Sequence, residues 1–231
     1  MGLQSRPSYP IRGRLRERPR LKAIILGVAL VWCATAILPV NRAVWALENI
    51  WVFIGIIGMA LAFRRFPFSD MGYLLIALYM CLHLVAAHYT YEQVTIGFWL
   101  QNAFGLARND YDRLVHFAFG LLLTYPTREL FLYVRPGMPN WLTHYLSLNS
   151  MMALSAVHEI MEAYVGAAAD PRTQPGYLSL QGDLYDSQHD MAATLVAALL
   201  SMVITVAVEY IQKRRRIIPR EEPVKADTGG S

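Results

Sequence analysis

Three pairs of ionisable residues recur at a spacing of four in the C-terminal half of the chain: Asp112 with His116, His158 with Glu162, and Asp186 with Asp190. Residues four apart share one face of a helix, so each pair presents two side chains in one direction. Glu159 sits beside His158, and Asp183 precedes the last pair. Histidines and carboxylates in such a pattern do two kinds of chemistry. As proton carriers they act as general acid and base, and the catalytic candidates in that role are His116, Glu159, Glu162 and Asp183. As ligands they form a mixed nitrogen and oxygen set suited to a divalent metal such as Zn²⁺ or Mn²⁺, with Asp112, His116, Glu162, Asp186 and Asp190 as the candidates. The run His158-Glu159-Ile160-Met161-Glu162 has the form HExxE, a partial likeness to the helical HExxH zinc site without its second histidine. No GxSxG nucleophile pattern accompanies these residues.

Each of these residues also has a purely structural reading. Asp186 stands where a helix N-cap is wanted, as do Asn109 and Asp110 before the preceding pair, and acids in a first turn favour the helix dipole. A lone His116 would be a hydrogen-bonded interior histidine. His83 and His88 are five apart, so at most one of them joins the site, and both are read as interfacial, as is His144. Glu129 is expected to pair with Arg128, Arg135 or a cation from another helix. Taken together, however, Asp112, Glu159, Glu162, Asp183, Asp186 and Asp190 place six carboxylates in one region. They cannot all remain ionised without a metal or a protonated histidine, unless some are themselves protonated.

The elements that must position these residues are membrane spans. The chain of 231 residues is 55% hydrophobic and 16% charged with a mean hydropathy of +0.30, against about a quarter charged in a soluble domain. Its apolar residues gather into six segments, 21–40, 48–63, 71–89, 111–133, 144–166 and 189–210. Such lengths match the roughly 20 residues that cross a hydrocarbon core. The expected fold is all-α: a polytopic bundle of six transmembrane helices over 21–212, between a basic tail at 1–20 and a basic, polar tail at 213–231. Of 21 Lys and Arg, 17 fall on the side of the two termini, which predicts both termini cytoplasmic. Basic residues at the chain ends, rather than among aromatics on a folded surface, exclude nucleic acid as a partner. They predict contact of the tails with anionic lipid headgroups, the bilayer being the other partner. Cys33 and Cys81 lie inside apolar runs, where a thiol packs as a small hydrophobe. The first apolar run is followed by further spans, not by a small-residue cleavage site, and is read as a retained helix.

With that topology the three i, i+4 pairs lie at similar depth near the outer ends of three helices. His116 would sit about 7 Å below its helix start. A lipid-facing charge costs about 2.5 to 3.5 kcal/mol on insertion scales, so the pairs are expected to face one another. The connection 90–110 carries Phe98, Trp99 and Phe104, which predicts a short helix lying in the outer interface. Pro126 is expected to kink the fourth span.

The stretches Tyr111-Asp112-Arg113-Leu114-Val115-His116-Phe117, Arg128-Glu129, Glu159 to Glu162, and Gln181-Gly182-Asp183-Leu184-Tyr185-Asp186-Ser187-Gln188-His189-Asp190-Met191 resemble the YjdF-like inner-membrane proteins of bacteria. The resemblance spans residues 40 to 210. It implies a multi-pass protein of the cytoplasmic membrane, with no activity established for the family. It also moves weight from His158 and His189, where relatives are expected to differ, onto the remaining acids and His116. The expected function is a membrane-embedded, metal-dependent enzyme acting on a lipid or envelope substrate at the periplasmic face. The alternatives are a cation- or proton-binding transport module, and a structural polar network.

Overall fold

The computed structural model describes residues 17–63 and 65–217, with side chains to residue 214. The expectations for the tails at 1–16 and 218–231, and for Arg64, lie outside the described residues. Within them the fold is all-helical, with no strand. The helices are α1 (Pro19–Ala36), α2 (Arg42–Phe63), α3 (Asp70–Tyr89), α4 (Thr95–Phe104), α5 (Tyr111–Val134), α6 (Asn140–Ala168), α7 (Gln174–Leu178) and α8 (Asp186–Ile217).

Local chemistry sets several boundaries that apolar runs alone miss. The Asn41 side chain accepts from the amides of Ala43 and Val44 at 3.0 and 3.2 Å. This cap starts α2 at Arg42, six residues before the expected 48. Ser69 Oγ accepts from the Gly72 amide at 3.0 Å and starts α3. α4 ends at Gly105 in the left-handed region, φ 65°, where glycine meets no steric cost. α5 continues as one helix through Pro126. α6 and α8 run several residues beyond their apolar stretches, because polar residues extend a helix once its ends reach water.

α1, α2, α3 and α8 are long and apolar enough to cross a membrane. α5 and α6, with 24 and 29 residues, match them in length but are less apolar, with Asp112, His116, Arg128 and Glu129 along α5 and His144, His158, Glu159 and Glu162 along α6. α5 is the centre of the bundle. It packs most extensively on α8, then on α3 and α6, while α1 lies on the outside of α3. The α5–α8 approach is close because position 120 is glycine: a Cβ there would strike the Thr194 carbonyl, the Ala198 amide and the Ala197 side chain. α2 packs only sparsely, chiefly on α3, and so stands off from α5 and α6.

Polar contacts gather the helix ends into two poles. At one, Val40 donates to the His88 carbonyl at 2.9 Å, His88 Nδ1–H donates to the Thr35 carbonyl at 2.9 Å, and Asn109 and Gln181 exchange bonds of 3.1 and 2.8 Å. At the other, Arg18 holds the Phe68 carbonyl at 3.1 Å and pairs with Asp70, and Arg128 pairs with Glu209 at 2.7 Å. Among the described residues Glu129 has no arginine partner and accepts from the Ser69 amide at 3.1 Å, the start of α3 bringing an open N–H to it.

Candidate functional site

The first turns of α5 and α8 and the last turns of α6 meet at the pole of the long connections. The i, i+4 spacing does there what the periodicity predicts. Ligand atoms of Asp112, His116 and Asp190 lie within 4.8 Å of one another, and all three residues are buried. His116 Nε2 is 3.7 Å from Asp112 Oδ1 and 3.2 Å from Glu159 Oε1. Neither contact is a well-aligned hydrogen bond. His116 Nδ1, Glu159 Oε1 and Asp190 Oδ1 are all buried without a partner. The Asp112, His116 and Asp190 group is one that could hold a metal ion. Thr194 Oγ1 donates to the His116 carbonyl at 3.2 Å, and Ser155 Oγ to Thr194 Oγ1 at 3.2 Å, fixing α5, α6 and α8 in register just below the cluster.

The other candidates sit around this centre in distinct settings. Glu162, half-buried, is within electrostatic reach of Asp112, Glu159 and Asp190. Asp186 is buried and paired with Arg108, whose guanidinium also holds Asp110 at 2.8 Å and the Leu180 carbonyl at 2.7 Å. That arginine is the counter-charge of Asp186, which remains within electrostatic reach of Asp112, Glu159 and Asp190. Asp183 lies outside the cluster in the loop before α8, paired with Arg113 and with His189 Nδ1 at 2.8 Å. The Tyr185 amide, then His189 and Arg113, hold its carboxyl below the usual range. His158 reaches the cluster through its ring, 5.5 Å from that of His116 and 5.6 Å from that of Trp51.

A cavity of about 410 Å³ opens beneath the cluster, bounded by α2, α3, α5 and α6. His83, His116 and His158 line its polar end, and Ile54, Met59, Phe119 and Leu130 are among its apolar walls. It exists because α2 stands off from α5 and α6.

Two histidines depart from expectation. His83 is interior, not interfacial: its Nε2–H donates to the Glu48 carbonyl at 3.1 Å and its Nδ1 meets Tyr91 Oη at 2.7 Å. His144 is also buried, one turn into α6, because that helix begins at Asn140 and carries residue 144 inward. Sequence reasoning missed Glu48 altogether. The signal is present, since it is the one acid in the 22 residues of α2, but an apolar segment of 48–63 puts Glu48 at its boundary and not inside the helix.

Fold and site together define an all-helical integral membrane protein with a histidine and carboxylate cluster in its interior. The chain belongs to the family described as "Predicted membrane protein (DUF2238)", whose match runs over residues 20–210. It is 31% identical over 198 residues to the "Inner membrane protein YjdF" of Escherichia coli (strain K12), covering 84% of this chain and 93% of that protein. No solved structure matches.

Proposed function

We propose that the chain is a metal-dependent enzyme of the bacterial inner membrane, with six spans and both termini cytoplasmic, that acts on a lipid or envelope substrate at the periplasmic face. The observation that carries this reading is the convergence of buried Asp112, His116 and Asp190, of which His116 also lines an apolar cavity. A divalent cation there would polarise a substrate oxygen or activate a bound water. Glu159, 3.2 Å from His116, takes the water's proton, and the apolar part of the substrate occupies the cavity. A pocket of a few hundred cubic ångströms with few, convergent polar groups is the usual form of a small-ligand site. The relative's name supports the inner membrane, and the 17 of 21 basic residues on one side support the orientation. Basic tails on anionic headgroups complete the picture.

One observation favours the alternative of cation or proton movement. Below the cluster, Thr124, Ser147, Ser155, Thr194 and Ser201 are buried along α5, α6 and α8, down to Arg128 with Glu209. Thermal stability of the detergent-purified full chain separates the two readings. The enzyme reading expects a chelator to lower the midpoint by several degrees and Zn²⁺ or Mn²⁺ to restore it. Indifference to chelator combined with stabilisation at acid pH contradicts the metal and leaves a protonated network.

A further inference from the structure

The cavity's polar lining includes two residues that are not metal candidates, His83 of α3 and Tyr91 of the short 3₁₀ turn after α3, with Glu48 of α2 against His83. All three are buried. The Glu48 carboxylate lies 3.8 Å from His83 Nε2. Because a backbone carbonyl only accepts, the bond from Nε2 to the Glu48 carbonyl fixes a proton on Nε2. The 2.7 Å contact between Nδ1 and Tyr91 Oη is different. In neutral His83 the phenol donates to Nδ1; in the imidazolium Nδ1–H donates to the phenol oxygen. Gaining or losing a proton therefore reverses one hydrogen bond without moving a heavy atom. An imidazolium buried here would need a counter-charge, and the Glu48 carboxylate is the acid placed to supply it. Around the triad stand Tyr79 on α3, Asp112 and His116 on α5, His158 and Glu162 on α6, and Tyr177 on α7.

Resting on the function proposed above, we propose that Tyr91, backed by His83 and Glu48, is the proton donor for the leaving oxygen of a lipid ester held in the cavity. Tyr91 and His83 line that cavity. The water oxygen bonds to the acyl carbon or phosphorus, and its proton passes to Glu159. The bond to the leaving oxygen breaks, that oxygen takes the Tyr91 proton, and Nδ1–H of His83 replaces it on the phenol. His83 ends neutral and Glu48 ionised, and protons exchanged with water restore the triad and Glu159. Tyr91 touches the substrate; His83 and Glu48 act through it.

The test is nitrogen-15 magnetic resonance of histidine-labelled full chain in lipid vesicles, followed over about pH 5 to 8, the range in which histidine ordinarily changes charge. The His83 signals are assigned by their loss in His83→Gln. The proposal expects an imidazolium fraction at His83 that Glu48→Gln abolishes, and a displaced Nδ1 signal in the nearly isosteric Tyr91→Phe. His83 neutral throughout in the wild type, or an unchanged titration in Glu48→Gln, overturns it. Added Zn²⁺ is the separate arm: it is expected to move the His116 signals and leave those of His83. Zn²⁺ binding directly to His83 nitrogen also overturns the proposal, whereas Zn²⁺ moving neither histidine contradicts the metal reading and leaves the His83 result standing on its own.

Discussion

His116 has Nε2 close to two carboxylates, while Arg108, a few residues upstream, contacts Asp110, Asp186 and two carbonyls. The contrast divides the acids of this pole into a neutralised rim and an uncompensated centre. It makes different predictions for each. Arg108→Met leaves Asp186 buried without its cation and should cost about 3 to 5 kcal/mol of stability. Arg172→Ala, removing an arginine whose side chain is 91% exposed, should leave stability unchanged. Denaturation of both variants in detergent checks the pair. Asp183 adds a pH dependence whose sign follows from its lowered carboxyl. The ionised form is favoured in the folded state, so its stabilisation is present above the ordinary value of 3.8 and is lost as pH falls through the lower folded value. The midpoint advantage of wild type over Asp183→Asn should therefore shrink on acidification from about pH 6 to about pH 3. A constant advantage would place the effect in packing.

At the scale of the helix, the backbone approach of α5 to α8 holds the cluster's two acids within reach of each other. Gly120→Ala drives a methyl into Thr194, Ala197 and Ala198, and overpacking of this kind costs about 1 to 3 kcal/mol. Gly58→Ala, where a Cβ meets nothing within 4 Å, should be neutral or slightly stabilising, because alanine is the better helix former by up to about 1 kcal/mol. The midpoint should fall in Gly120→Ala and stay level or rise slightly in Gly58→Ala. The helices themselves were legible: apolar runs located α1, α2, α3 and α8 to within a few residues at most ends, and the i, i+4 pairs on α5 and α8 indicated which faces turn inward. What periodicity does not carry is which distant groups satisfy one another. Glu129 accepts from the Ser69 amide, and His83 meets Glu48 and Tyr91. Both outcomes depend on how α3 is placed against its neighbours. The cavity is equally invisible in the sequence, since it arises from α2 standing off from α5 and α6, a fact of packing with no motif behind it.

For the whole molecule, the function proposed here needs the cluster at the periplasmic surface and both chain ends in the cytoplasm. Alkaline phosphatase fused after Ser231 should be inactive, and the same enzyme inserted in the connection between α6 and α8 should be active. The reverse pattern would invert the protein and move the site to the cytoplasmic leaflet. The central claim, that Asp112, His116 and Asp190 hold a divalent cation, is tested most directly by metal analysis of the full chain purified without chelator and saturated with Zn²⁺ or Mn²⁺. The predicted result is about one ion per chain in the wild type and less than about a tenth of that in folded Asp112→Asn/Asp190→Asn protein. A wild type that retains neither metal, or a folded variant that retains as much, would contradict it.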